Sequence, residues 1–125
     1  ERIERDLRQL LPDGIRLVIE VGNDRVSPSL ANALLLIVNE FVSNSVKHGL
    51  QDRSGSIAIA ISAGDDGWSI ACSDDGSATG ADAERAALAK GLGTRVIQSL
   101  ASSFGVAPDW SANGSGMHLR IDAAA

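Results

Sequence analysis

At 125 residues with 44% hydrophobic side chains, the chain has the length of a single domain, residues 1–125, and enough apolar surface to bury a core without covalent staples. Its lone cysteine, Cys72, excludes an internal disulfide and with it a disulfide-framed secreted scaffold, so a reducing, cytoplasmic setting is the expectation. Eleven Lys and Arg against sixteen Asp and Glu give a net charge of -5, and aromatic residues make up only 3% with no Tyr, which argues against both a phosphate-neutralising stripe and a base-stacking platform and so against a nucleic-acid partner. No window is expected to supply the roughly 20 apolar residues of a membrane span, and no membrane contact is expected of this domain.

Residues 1–11 carry Ile3, Leu7, Leu10 and Leu11 on a helical period, and Pro12-Asp13-Gly14 breaks it, which predicts a short leading helix. Ile15, Leu17, Ile19 and Val21 then alternate with Arg16, Val18 and Glu20, the period of a strand buried on one face. Ser27-Pro28 is a helix start, with serine as cap and proline in the first turn, and the apolar run that follows predicts a helix over 28–48. Leu34, Ile37, Val38, Phe41, Val42 and Ser45 form its inward face; Glu40, Asn44 and His48, four residues apart, form a polar ridge beside it.

Residues 56–62 and 68–73 alternate and are joined by Asp65-Asp66-Gly67, a hairpin with Trp68, Ile70 and Cys72 on one face. Cys72 is expected to be a buried hydrophobe rather than a reactive thiol. Residues 77–90 show no strand pattern, and 84–90 are compatible with a loose helical turn. Gly91-Leu92-Gly93 precedes a stripe of Val96, Ile97, Leu100, Ala101 and Phe104, a second long helix. Residues 106–110 and 117–121 read as final strands, with His118 pointing outward on the last of them. Polar alternation in four strands implies a mixed sheet of about five strands covered by helices on one face only.

Three features invite a joint reading. A carboxylate at a strand end, Asp74, can accept from an exocyclic amine, with Gly76 leaving room for a flat ring. Backbone N–H groups of Gly91-Leu92-Gly93 at a helix start favour phosphate. A carboxylate and a carboxamide one helical turn apart, Glu40 and Asn44, can hold Mg2+ through oxygen. Each motif alone is common on surfaces and at turns; together and in this order they describe a nucleoside triphosphate site.

The residues also resemble a known superfamily. Asn39-Glu40-Phe41-Val42-Ser43-Asn44-Ser45-Val46-Lys47-His48 is similar to the N box of the GHKL ATP-binding domains, Cys72-Ser73-Asp74-Asp75-Gly76 to their G1 box, Gly91-Leu92-Gly93-Thr94-Arg95 to G2, and Gly114-Ser115-Gly116 to the last glycine motif. The order matches over roughly residues 15–122, and the details look most like histidine kinases of the HWE/HisKA_2 group. The resemblance implies a Bergerat fold, an α/β two-layer sandwich with ATP between the N-box helix and a lid at residues 77–90.

Carried over, it implies that Asn44 and Glu40 hold Mg2+, that Lys47 and His48 face the phosphates, that Asp74 accepts the adenine amino group and that Gly76 admits the ring. Gly91, Leu92, Gly93 and Thr94 would bind phosphate, and Gly114 and Gly116 would belong to the nucleotide site. Two positions depart from many relatives: Ser77-Ala78 supply no second glycine after Gly76, and Met117 stands where a threonine is common. The implied activity is transfer of the ATP γ-phosphoryl group to a histidine on a helical hairpin that this chain does not contain, and onward to a response regulator. An anti-sigma-factor serine kinase, against which the leading helix argues, and a degenerate binding module are the alternatives.

Overall fold

The computed structural model describes residues 2–3, 14–22, 27–50, 55–64, 67–88, 92–112, 114 and 116–124. In chain order they form β1 (Arg2–Ile3), β2 (Ile15–Gly22), α1 (Pro28–Asn44), a π-helical turn (Ser45–Gly49), β3 (Gly55–Gly64), β4 (Gly67–Asp74), α2 (Gly80–Ala87), α3 (Leu92–Ser103), β5 (Asp109–Ala112) and β6 (Met117–Ala124).

The strands make one sheet in the order β1-β2-β3-β4-β6-β5. β2 and β3 are parallel, as a strand pair joined through a crossover helix must be, and every other pair is antiparallel. The expected mixed sheet of about five strands is thus present, with the two-residue β1 as an additional edge. Alternation decides the faces. Leu17 and Ile57 are register partners, and so in turn are Ile59, Cys72, Leu119 and Trp110. This side meets α1 and α3, whose Ile37, Phe41, Ile97 and Ala101 are fully buried with it. The larger of these, Ile37, Phe41 and Ile97, each contribute about 1.5–3 kcal/mol of burial. The opposite side, with Arg16, Glu20, Ala58, Ala60, His118 and Arg120, is exposed; helices cover one face only.

α1 starts as its sequence dictates: the Ser27 side chain accepts from the Leu30 N–H at 3.2 Å, and Pro28 occupies the first turn. All six residues expected to face inward are buried, Ser45 among them. The expected α-helix over 28–48 is corrected at its end, because α geometry stops at Asn44 and a π turn follows. The Leu50 N–H donates to the Ser45 carbonyl at 2.7 Å. That wider turn brings residues five apart onto one side, so Ser45 and Leu50 are both buried. Contrary to expectation, Pro28–Lys47 is long and apolar enough to cross a membrane by length and composition; its buried apolar side is the one packed on the sheet.

The leading helix expected over 1–11 is corrected where it is described. Arg2 and Ile3 pair with Glu20 and Ile19 as an edge strand, where the open backbone of β2 offers partners that an isolated helix of this length, marginal in water, does not need. Residues 4–11 lie outside the described residues. The penultimate strand is shifted from 106–110 to Asp109–Ala112, because Pro108 cannot donate to a ladder, and β6 runs three residues beyond the expected 121.

Candidate nucleotide site

Asp74 ends β4 on the sheet's covered side and is only 6% exposed. Its Oδ1 accepts from the Gly76 N–H at 3.0 Å and from the Met117 N–H at 3.1 Å. Its Oδ2 is buried and has no hydrogen-bond partner among the described residues. A desolvated carboxylate oxygen without a donor is costly, so this atom is the one place in the described chain where an incoming N–H group would remove a standing penalty.

The loop before β6 makes this possible. Gly116 sits at φ 141°, and a Cβ there would overlap the Asp74 carbonyl oxygen. Only glycine lets the backbone pass close enough for Met117 to reach Oδ1. Met117, one of the two departures noted in the sequence, thus contributes through its backbone. The other, Ala78, is buried, and its carbonyl accepts from the Gly114 N–H at 2.7 Å. The same short loop therefore pins both ends of residues 74–78: Asp74 at the base of the site and Ala78 at the root of the expected lid.

Asp75 differs from its neighbour. It is exposed, and its Oδ1 accepts from the Ser56 N–H at 2.8 Å while its own N–H donates to the Ser56 carbonyl. It extends the β3–β4 pairing by one residue and holds the start of β3.

Within the lid region the loose turn expected over 84–90 is corrected to α2, Gly80–Ala87. Thr79 and Asp82 form a reciprocal capping box, the Thr79 N–H donating to the Asp82 carboxylate at 2.8 Å and the Asp82 N–H to the Thr79 hydroxyl at 3.3 Å. The Thr79 backbone bond first, then its hydroxyl, hold the Asp82 carboxyl below its usual range. Ala83 and Ala86 are buried, and α2 packs against β5. A Thr-x-x-Asp spacing is the signal that could have located this helix.

On α1, Glu40 and Asn44 are half-buried and one turn apart, and Lys47 is exposed in the π turn. Neither Glu40 nor Asn44 hydrogen-bonds through its side chain among the described residues, which leaves their oxygens available to a hard cation. The side chains of His48 and Leu92 lie outside the described residues, as does Gly91; Gly93 is described only by its backbone in α3, and Thr94, half-buried on α3, is engaged in a contact of its own. The structure thus brings Gly76 and Gly116 against Asp74, ties Gly114 to Ala78, and places Glu40 and Asn44 on the helix that packs over the sheet. Cys72 is inert: burial pushes its thiol up to about 12. His118 is exposed on β6, as expected.

Fold and residues together define a two-layer α/β domain with a candidate nucleotide site. The sequence profile of the histidine kinase-like ATPase domain (HATPase_c_2) matches residues 6–122, and the chain belongs to that family, whose hallmark is ATP binding. No curated protein matches the sequence. The fold is similar to that of the histidine kinase domain of the Erythrobacter litoralis EL346 blue-light activated histidine kinase, with TM-score 0.74 and 22% identity over 89% of this chain and 55% of that one. The ATP binding domain of PrrB from Mycobacterium tuberculosis gives 0.73 and 20% over 95% and 85%, and the Acinetobacter baumannii histidine kinase AdeS gives 0.71 and 15% over 94% and 56%. At these identities the likeness is one of fold. The chain spans about half the length of the first of these structures.

Proposed function

We propose that this chain is the cytoplasmic ATP-binding catalytic domain of a two-component sensor histidine kinase, of the HWE/HisKA_2 group that its Asn39-to-His48 and Gly91-to-Arg95 segments resemble. The observation that carries the reading is Asp74: one carboxylate oxygen held by two backbone donors, the other buried and unpaired. That arrangement suits the 6-amino group of adenine and orients the base, with Gly76 beside it.

Glu40 and Asn44 supply oxygen donors for Mg2+, which when bound would neutralise phosphate charge. Lys47 and His48 are assigned to the triphosphate by the same resemblance, as are Gly91 to Thr94, where the positive end of the α3 dipole favours phosphate. Gly114 and Gly116 serve the site by bracing Asp74 and the lid root. The domain's part in catalysis is positioning and charge neutralisation: the P–O bond to ADP breaks as a bond forms to an imidazole nitrogen on the dimerisation hairpin of the parent kinase, and the group then passes to a response regulator.

Asn44→Ala tests the metal half. Calorimetry with a non-hydrolysable ATP analogue should show Mg2+-dependent binding to the 125-residue chain and its loss, by about tenfold or more, in the variant, with an unchanged melting temperature. Equal Mg2+-dependent affinity in both proteins would refute the assignment. Phosphate appearing on a serine partner instead of a histidine would turn the reading to a serine kinase.

A further inference from the structure

The open face of the sheet has a charge pattern that the nucleotide site does not use. Its two central strands present only small side chains there: Ala58 and Ala60 from β3, Ala71 and Ser73 from β4. Taller residues stand on the flanking strands, and the result is a groove of about 520 Å³. Register places Glu20, Ala60, Ala71, Arg120 and Asp109 in one row across β2, β3, β4, β6 and β5. The row reads negative, neutral, neutral, positive, negative.

We infer that this face is a self-association surface for a second copy of the chain, related by a two-fold axis that runs along the strands between β3 and β4. Such an axis exchanges β2 with β6 and β3 with β4 while keeping every residue at its own level. Glu20 of each copy then lies over Arg120 of the other, so the pair forms twice. Ala60 covers Ala71, and Ala58 covers Ser73. One row away Val18 meets His118, and Gly22 meets Asp122. No like charges are opposed among these pairs. A two-fold axis across the strands at the same row would instead set Glu20 against Glu20, so the charge order selects one geometry.

Arg120 is prepared for this contact. Asp122 holds its Nε and Nη2 at 2.9 and 3.0 Å, which orients the guanidinium and leaves Nη1 to receive a second carboxylate. Both partners of that ion pair are about 60% exposed, so nothing among the described residues covers them. The taller flanking side chains set the spacing of the two sheets, so contact is made along the Glu20–Arg120 and Val18–His118 rims. With strands ~4.8 Å apart, the four-strand patch is ~14 Å wide; it buries less than the ~800 Å² per partner of a standard interface, which predicts a weak, salt-sensitive dimer.

Sedimentation velocity of the 125-residue chain at low salt tests this. The mass should rise towards twice the monomer value with a Kd on the order of 100 μM, and raising salt from about 50 to 500 mM should weaken it roughly tenfold. Glu20→Arg and Arg120→Glu, both at exposed positions, should each give monomers. Mixing the two variants should restore a dimer, because each then meets its opposite charge twice. A chain that stays monomeric at about 1 mM, charge variants that dimerise like the wild type, or a mixture that fails to associate would each overturn the inference.

Discussion

The two halves of the proposed nucleotide site are built by different means. At the Asp74 end, backbone N–H groups from Gly76 and from Met117, more than forty residues later, fix a carboxylate before any ligand arrives. Along α1, Glu40 and Asn44 are half-buried side chains spaced by one helical turn, with their oxygens uncommitted. The first half is therefore encoded in where the chain can pass, the second in which side chains it carries. Substitutions should separate them: a backbone change harms fold and binding together, and a side-chain change on α1 harms binding alone.

Gly116→Ala should have the largest effect, since the added Cβ overlaps the Asp74 carbonyl oxygen at a φ that other residues rarely adopt. A loss of about 2–4 kcal/mol in urea denaturation is expected, together with loss of nucleotide binding. Asn44→Ala should stay within about 0.5 kcal/mol of wild type. Equal stability for the two variants would erase the contrast.

The smallest effect belongs to the capping box of α2. The Asp82 carboxyl is held below its usual range by Thr79, so its contribution to stability is present above the unfolded value of ~4 and fades as pH falls through the lower folded value. Asp82 is almost fully exposed, and screening limits the effect to about 0.5 kcal/mol. Stability curves of wild type and Asp82→Ala should differ by that amount at pH 7 and converge on acidification; a gap that widens below pH 4 would contradict the cap.

Much of the fold was legible because it follows local periods. The six inward residues of α1 and the alternation of β2, β3, β4 and β6 are properties of consecutive residues, and burial agrees with them. Asp74 was legible as a carboxylate at a strand end. What local sequence could not express are contacts between distant segments: the Asp75 bond to Ser56, nineteen residues away, the wedge of Gly116 against Asp74, and the pairing of Arg2 with Glu20. The π turn belongs with these, because it is the joint burial of Ser45 and Leu50 in the core that favours a wider turn. α2 is a different case, since Thr79-x-x-Asp82 was there to be read and the alanine-rich surroundings obscured it.

The central claim is that the free oxygen of Asp74 receives the 6-amino group of a purine. Calorimetry comparing ATP with inosine triphosphate, which carries a 6-oxo group instead, tests it most directly. Wild-type protein should prefer ATP by about 100-fold, because a buried carboxylate facing a carbonyl goes unpaired. Asp74→Asn should erase that preference, since the amide can present a donor to the oxo group. Asp75→Asn should keep it, because the amide oxygen still accepts from Ser56. Wild-type protein that binds both nucleotides equally, or Asp75→Asn that loses the preference while Asp74→Asn retains it, would contradict the account.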